Sequence, residues 1–294
     1  MRDWIRIKTS ATTAALVMFC TSAPAADIYF DQAINKVMRP EDSFILSVRG
    51  ELKAGDSDRF LEIAKKSPSL SRVELNSPGG SVIEGIKIAE TIRFLHLDTR
   101  VASRGYCASS CFFMFIGGSF RWASSAELMT QESRNRSRNI GISLGLPKSM
   151  YDRPIPGFVG VHRPYVEASM TGGTNQTEAM FKVRQYLQMQ LVPYRLIDMI
   201  MSRPSNDIYW LSASDFKELG DYPAGDEEIF VQQCGYIKNA SDRILEGGMT
   251  QEQISQLNSQ RDEADKCIQQ KQAFLQSQAR IKLMRGWRPS DRPM

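Results

Sequence analysis

Strand and helix patterns alternate along residues 44–118, and this alternation constrains the fold more than any other feature of the sequence. The segments SFILSVRGEL, SRVELNS and TRVASRG are apolar runs typical of strands, whereas DSDRFLEIAKKS and GSVIEGIKIAETIRFL carry apolar residues at helical spacing. Strands that alternate with helices pair in parallel through right-handed crossovers. These residues therefore predict an α/β fold.

The alternation is interrupted after residue 120 and then resumes. Residues 121–157 are rich in Ser, Arg, Asn and Pro, which predicts a long surface insertion. GFVGVHRPYV follows as a strand, and a helical pattern then runs from Thr174 to Ser202, where Pro193 is expected to kink or divide it. DIYWLSASDFKELG predicts a short extended segment and a helix that ends at Gly220.

The last part of the chain, residues 223–294, is predicted to be a helical appendage. Its composition shifts toward Gln, Glu, Lys and Arg, and apolar residues recur at helical spacing on both sides of the turn EGGMTQEQ. One helix is expected to include Ile229 through Leu245, and a second Ile254 through Leu275. Such a helical hairpin suits docking or assembly better than chemistry.

Residues 1–25 have the pattern of a secretory signal. Three basic residues precede the apolar stretch ATTAALVMFC, and cleavage after Ala25 would put Ala23 and Ala25 at the two small-residue positions. The apolar stretch is short for a membrane span, although an uncleaved anchor helix is the alternative. We therefore expect a periplasmic or secreted protein whose first domain covers residues 26–222.

Charge and cysteine content narrow the classes of partner and site. The formal net charge of the 294 residues is +4, and removal of the signal, with three basic residues and one acidic one, leaves +2. This charge does not indicate nucleic acid as a partner. Four cysteines remain after export and allow three disulfide connectivities, of which sequence proximity favours Cys107 with Cys111 and Cys234 with Cys267. With no CxxC pair and two histidines, no metal site is expected.

Two chain corners carry the candidate chemistry. In LNSPGGS, Pro78, Gly79 and Gly80 lie between a strand and an amphipathic helix, where free backbone N–H groups could bind an oxyanion. In GYCASSC, Ser109 or Ser110 lies at a second such junction, on the same edge of a parallel sheet. The alternatives are a tight turn at the glycines and a polar cap of a buried helix at the serines.

A serine nucleophile needs a base and a group that orients the base. His162, at the end of the strand FVGVHRP, is the candidate base, against the alternative of a structural histidine. Asp207, in SNDIYWLS, is the candidate third member. Asp198 and Asp215 lie within helical patterns and are interpreted as solvated helix faces.

Residues 75–118, from LNSPGG to CASSCFFMFIGG, resemble the core of the ClpP-type serine peptidases of the ClpP/crotonase superfamily. In particular, they resemble the exported ClpP-like proteins of bacteria that carry a C-A-S-x-C segment. The resemblance covers about residues 44–222. It implies a repeated ββα core with strands in two sheets and helices outside, followed here by the C-terminal helical hairpin, and it implies frequent assembly into rings or trimers, so that a homo-oligomer is compatible with it.

The resemblance also implies roles for individual residues. Ser109 takes the nucleophile position, the N–H groups of Gly80 and Ser110 form the oxyanion hole, and His162 is the base. Asp207 matches the third position only with one inserted residue, since strict registration puts Ile208 there. The implied substrate is a peptide or unfolded protein, with no cofactor and, because ATP is not available outside the cytoplasm, no ATPase partner.

Three other functions fit parts of the sequence. A non-catalytic binding or assembly protein could keep the fold, and the uncertain aspartate favours this alternative. Acyl-CoA chemistry of the crotonase kind shares the oxyanion hole, but the export signal opposes it. A Ser–Lys dyad would need Lys148, which lies in the insertion. The insertion itself is interpreted as a lid, a substrate arm or an interface loop.

Overall fold

The structure is a computed structural model, and it describes residues 25–30, 44–102, 104–124, 157–165, 176–238, 240, 244 and 248–286. The predicted signal up to residue 24 and most of the predicted insertion lie outside these residues, as does Lys148. The two sheets, the candidate site residues and the C-terminal helices lie within the described residues.

Eight strands and eight helices occur in the described residues. The strands are β1 (Asp27–Phe30), β2 (Phe44–Arg49), β3 (Leu70–Asn76), β4 (Asp98–Val101), β5 (Tyr106–Ala108), β6 (Arg121–Trp122), β7 (Phe158–Val161) and β8 (Tyr209–Trp210). The helices are α1 (Asp56–Lys65), α2 (Val82–Phe94), α3 (Cys111–Ile116), α4 (Gln176–Met189), α5 (Tyr194–Ser202), α6 (Ala213–Leu219), α7 (Ala224–Cys234) and α8 (Gln251–Met284). This arrangement confirms the predicted α/β fold class.

The main sheet has five strands in the order β1-β2-β3-β4-β6. Strands β2, β3, β4 and β6 are parallel, and β1 adds to the edge in the antiparallel direction. The strands form because their apolar residues are buried by helices; Leu46, Val73 and Leu75 are fully buried. The right-handed crossovers expected from the sequence thus carry α1 and α2 between parallel neighbours.

A second, three-stranded sheet lies beside the first in the order β5-β7-β8. Strands β5 and β7 are parallel, and β8 is antiparallel to β7. A parallel bridge between Ser77 and Cys107 connects the end of β3 with β5, so the two sheets meet beside the glycine corner. The sequence analysis missed β5, because three residues are too few to show an alternating pattern.

Helices α2 and α3 cross at a short distance because two glycines lie at the contacts. A Cβ atom on Gly85 would be 2.6 Å from the carbonyl oxygen of Ser110, and one on Gly117 would be 2.7 Å from the carbonyl oxygen of Ala89. All six residues of α3 are buried. The aromatic run in α3 is therefore core, and it anchors the turn that precedes it.

The C-terminal helices pack against the domain. Cys234 of α7 is joined to Cys267 of α8, Gln276 Nε2 donates to the carbonyl oxygen of His96 at 2.8 Å, and Arg280 donates to the carbonyl oxygen of Ser67 at 2.7 Å. The helix predicted through Leu245 ends at Cys234 instead. Gly235 adopts a left-handed conformation (φ 68°) and donates to Phe230, which terminates α7.

Two further boundaries predicted from the sequence can be compared with the structure. Pro193 divides the long helical pattern into α4 and α5, as expected, and stands just before α5. The predicted insertion begins too early, because β6 pairs with β4 and Arg121 is buried in the sheet.

In the described part of the chain, no helix combines the length and apolar character that a membrane span requires.

Candidate active site

Ser109 occupies a sharp turn between β5 and α3. Its φ is 58°, a left-handed conformation that is uncommon for residues other than glycine. Its N–H donates to the carbonyl oxygen of Gly160 in β7 at 3.0 Å, and its own carbonyl oxygen accepts from Phe112 N–H at 3.0 Å. The turn is thus held from both sides while the Ser109 side chain remains partly exposed. A serine at a constrained strand-to-helix turn has the placement of a nucleophile.

The glycine corner packs directly on this turn. A Cβ atom at Gly79 would be 2.7 Å from the Cβ of Ser109 and 2.9 Å from the nitrogen of Ser110, so only glycine fits. Gly79 also has a φ of 97°. The structure therefore brings the two predicted corners together. They do not share one sheet edge, because the glycine corner follows β3 of the main sheet and Ser109 follows β5 of the second sheet.

Two backbone N–H groups at this junction remain available. Gly79 N–H donates to Ser77 Oγ at 3.0 Å, and Ser81 N–H donates to the carbonyl oxygen of Leu52 at 2.9 Å. By contrast, the N–H groups of Gly80 and Ser110 have no hydrogen-bond acceptor among the described residues. Unused amides beside a nucleophile can stabilise a developing oxyanion. These are the two amides that the sequence analysis named.

A disulfide encloses the Ser109 turn. Cys107 and Cys111 are bonded, and both are fully buried. The bridge spans Ser109 and Ser110, so it ties the last residues of β5 to the first residue of α3. The structure joins the same two cysteine pairs that sequence proximity favoured.

His162 follows the last residue of β7. Ala108 pairs with Gly160, and Ser109 N–H donates to the carbonyl oxygen of Gly160. Continued by one residue, this register puts Ser109 opposite Val161, the residue before His162. The His162 side chain turns toward its own chain, where Nδ1 lies 2.8 Å from the carbonyl oxygen of Arg163. Although both residues are described, no hydrogen bond joins Ser109 and His162.

The contact with Arg163 fixes the tautomer of a neutral His162. A carbonyl oxygen can only accept, so Nδ1 carries the proton and Nε2 has the free electron pair. This is the tautomer in which Nε2 can take a proton from a serine. In the described conformation, a backbone carbonyl orients the imidazole.

Asp207 forms an ion pair with Arg203 rather than a contact with His162. Its Oδ2 is 3.1 Å from Nε of Arg203 in an ion pair, and the register of β7 and β8, continued by one residue, puts Ile208 opposite His162. The structure therefore does not bring Asp207 onto the imidazole. Asp207 is linked to the His162 segment through Arg203, because the carbonyl oxygen of Arg203 accepts from Arg163 N–H at 3.2 Å.

Two residues that support the site were not identified from the sequence. Ser77 is fully buried, donates to the carbonyl oxygen of Gly50 at 2.6 Å and accepts from Gly79 N–H, so it fixes the glycine corner. Asp215 is 1% exposed, which corrects its interpretation as a solvated helix face. The capping-box spacing from Ser212 to Asp215 was the available signal for it.

Asp215 connects α6 with β8. It accepts hydrogen bonds from Tyr209, Ser212 and Arg195. Burial opposes ionisation of Asp215, but the bonds from Arg195, Ser212 and Tyr209 outweigh burial and lower its pKa. The ionised carboxylate thus holds Tyr209 of β8, whose partner in β7 is Val161, the residue before His162.

Metal chemistry has no candidate ligands in the described ranges. No group of three or more His, Cys, Asp or Glu residues lies close enough there to hold a metal ion.

Residues 59–139 match the family model described as Clp protease. The matched segment includes both glycines of the corner and Ser109, and it ends before His162 and Asp207. The match supports a ClpP-like family and a serine-peptidase-like function for this part of the chain. Among curated proteins, no sequence matches the chain significantly.

Solved structures that match the chain include two of ClpP1 from Listeria monocytogenes. A mutant of that protein is 15% identical, covers 64% of this chain and 93% of its own, and has a TM-score of 0.38. The unmutated protein is 17% identical, with coverages of 60% and 88% and a TM-score of 0.37. A mutant of the 1510-N membrane-bound stomatin-specific protease is 11% identical, with coverages of 65% and 83% and a TM-score of 0.37. These similarities are too low to assign residues or activity.

Proposed function

We propose that the protein is an exported serine hydrolase, and specifically a peptidase that acts without ATP on short or unfolded peptides. The observation that supports this proposal is the packing of Gly79 on the left-handed turn of Ser109, beside the N–H groups of Gly80 and Ser110, which donate to no acceptor among the described residues. A nucleophile beside two free amides is the arrangement that acyl transfer requires.

In the proposed mechanism, Ser109 Oγ attacks the carbonyl carbon of the scissile peptide bond. His162 Nε2 takes the hydroxyl proton, and the amides of Gly80 and Ser110 bind the oxyanion of the tetrahedral intermediate. The imidazolium then gives the proton to the leaving amine as the C–N bond breaks. Water, deprotonated by the same nitrogen, hydrolyses the acyl-enzyme and restores Ser109.

The mechanism requires the His162 side chain to rotate toward Ser109. Ser109 and His162 directly follow the last residues of the paired strands β5 and β7, so the proposed rotation involves side-chain torsions rather than a change in the sheet. In apo enzymes, catalytic hydrogen bonds often become short only when substrate binds. In the described conformation, the bond from Nδ1 to Arg163 keeps Nε2 as the basic nitrogen.

The proposed location determines the substrates. Outside the cytoplasm no ATP-driven unfoldase can deliver folded proteins, so substrates must reach Ser109 as short, flexible or already unfolded chains. We also propose that the protein assembles as a homo-oligomer. A periplasmic or secreted location after removal of residues 1–25 is part of the proposal, and the signal pattern of the sequence supports it.

Covalent labelling tests the nucleophile. The oxidised wild-type protein is incubated with a fluorophosphonate probe, and the modified residue is identified by mass spectrometry. We expect label on Ser109, no label in Ser109→Ala, and label retained in Ser110→Ala, which keeps the backbone amide. Ser110 is a matched control because its hydroxyl is buried without a hydrogen-bond partner in the described structure. Absence of label on folded wild type would contradict the proposal.

Peptide hydrolysis tests turnover. A library of short unfolded peptides is incubated with wild type, Ser109→Ala and His162→Ala. We expect loss of activity by about 10³-fold or more in each variant. Circular dichroism establishes that the variants are folded.

A non-catalytic binding protein is the second candidate function. The ion pair of Asp207 with Arg203 and the position of Ile208 opposite His162 favour it, because no carboxylate among the described residues is hydrogen-bonded to His162. This candidate predicts that folded wild type binds unfolded peptides without cleaving them, with the same affinity in Ser109→Ala. Cleavage that depends on Ser109 would exclude it.

A further inference from the structure

Ala26 is buried at the point where the predicted signal ends. It is 0% exposed, whereas Ala25 is exposed. The backbone nitrogen of Ala26 donates to Oδ2 of Asp56 at 3.2 Å. The first residue after the predicted cleavage position therefore already lies with its nitrogen on a carboxylate.

Asp56 is a buried carboxylate with a defined set of partners. Its side chain is 1% exposed; Oδ2 also accepts from Lys53 N–H at 2.8 Å, and Oδ1 accepts from Arg59 Nη1 at 2.9 Å. The same Arg59 nitrogen donates to the carbonyl oxygen of Ala26 at 3.1 Å. Arg59 and Asp56 thus bind the carbonyl oxygen and the nitrogen of one residue, Ala26.

We propose that cleavage after Ala25 creates an α-ammonium group on Ala26 and that this group forms a buried ion pair with Asp56. The inference rests on the proposed export of the protein. In the cleavage step, a signal peptidase uses water to hydrolyse the peptide bond between Ala25 and Ala26; oxygen goes to the new carboxylate of Ala25, and the released nitrogen of Ala26 takes up a proton.

Cleavage would change the electrostatics of this site without moving the chain. An amide N–H offers Asp56 a neutral donor, whereas an ammonium group offers a charged one at the same atom. Charge-assisted hydrogen bonds are roughly twice as strong as neutral ones, and a buried pair is screened little by salt. The mature N-terminus should therefore hold β1 on α1 more firmly than the uncleaved chain does.

The proposed ion pair is connected to the oxyanion corner through the backbone. Asp56 accepts from Lys53 N–H, and the preceding residue, Leu52, donates to the carbonyl oxygen of Gly79 at 2.7 Å and accepts from Ser81 N–H at 2.9 Å. Leu52 thus binds the residues on both sides of Gly80. Removal of the signal would accordingly stabilise the segment that presents the Gly80 amide.

The test compares two N-termini in a double-mutant cycle. Form one begins at Ala26, and form two begins at Ala23 and keeps an amide at Ala26. Asp56→Asn is made in both forms. We expect form one to be more stable to urea, and Asp56→Asn to shift the unfolding equilibrium about tenfold more in form one than in form two. Asp58→Asn, an exposed acidic residue in the same first turn of α1, is the matched control and should affect both forms equally.

Two results would overturn the inference. One is equal stability of the two wild-type forms, which decides the question even if Asp56→Asn does not fold. The other is a mature N-terminus elsewhere than Ala26 when the exported protein is analysed by intact mass. Neither measurement depends on hydrolysis, so a failure here is distinguishable from a failure of the proposed peptidase activity.

Discussion

The two disulfides of this protein differ in what they constrain. Cys107 and Cys111 are four residues apart and fully buried, and they enclose the Ser109 turn. Cys234 and Cys267 are 33 residues apart and partly exposed, and they join α7 to α8. One bridge thus lies in the candidate active site, and the other lies in the C-terminal appendage.

The lengths of the two closed loops give the bridges different energetic roles. Loop-closure entropy in the unfolded chain predicts a stabilisation of about 2 kcal/mol for the short loop and about 4 kcal/mol for the long one. The short bridge contributes less to stability but fixes a turn with an uncommon φ. We infer that the Cys107–Cys111 disulfide mainly fixes the conformation of the Ser109 turn, whereas the Cys234–Cys267 disulfide mainly stabilises the fold. Four measurements test this difference.

The largest effect on activity is expected from Gly79→Ala. The new methyl group would press on Ser109 and the Ser110 amide, so kcat/KM for peptide hydrolysis should fall by about 10²-fold to 10³-fold, the usual loss when an oxyanion donor is displaced. Gly55→Ala is the matched control, since Gly55 has a similar φ of 93° and nothing within 4 Å of the added Cβ. Equal activity in the two variants would contradict the packing of the two corners.

The double variant Cys107→Ala/Cys111→Ala tests the geometric role of the short bridge. Activity should fall by about tenfold to a hundredfold, because small displacements of a nucleophile are costly, while the free energy of unfolding should fall by about 2 kcal/mol. Peptide hydrolysis and urea unfolding measure the two quantities. A loss of stability with unchanged activity would remove the distinction between the disulfides.

Asp207→Asn tests whether Asp207 acts on the candidate base His162. Because Asp207 pairs with Arg203 rather than His162, we expect a loss of activity of about tenfold or less. A carboxylate that orients the base directly is worth about 10⁴-fold in a serine protease. A loss of that size, measured as kcat at several pH values, would show that Asp207 leaves Arg203 and acts on His162 during turnover.

The smallest effect on activity is expected from Cys234→Ala/Cys267→Ala. The pairing of α7 with α8 should lose up to about 4 kcal/mol, whereas peptide hydrolysis should stay within about twofold of wild type. Hydrogen exchange should rise in α7 and α8 and remain unchanged in α3. A large loss of activity would mean that the appendage contributes to the site.

The elements that the sequence predicted well are those whose pattern is local. Helices α1 and α2 and strand β3 each bury a periodic set of apolar residues, so their positions follow from spacing alone. Pro193 likewise acts within its own segment. The meeting of the glycine corner with Ser109 was predicted for strands of one sheet, whereas it occurs where the Ser77–Cys107 bridge joins two sheets.

The features that the sequence did not reveal depend on contacts between distant segments. Ser77 fixes the corner through Gly50, 27 positions away. The pairing of β7 with β8 decides which residue lies opposite His162, and no local pattern distinguishes Asp207 from Ile208. Asp215 has the spacing of a helix cap, but its burial depends on partners in α5 and β8.

The crossing of α2 and α3 has a consequence for how this site can vary. The backbones approach closely at Gly85 and again at Gly117, so α3 is held against α2 near both of its ends. The Ser109 turn is therefore positioned by close backbone packing of α3 on α2. A side chain at Gly85 would press on Ser110 and one at Gly117 would press on Ala89, so we expect changes in substrate preference to arise in the surrounding loops rather than in this helix pair.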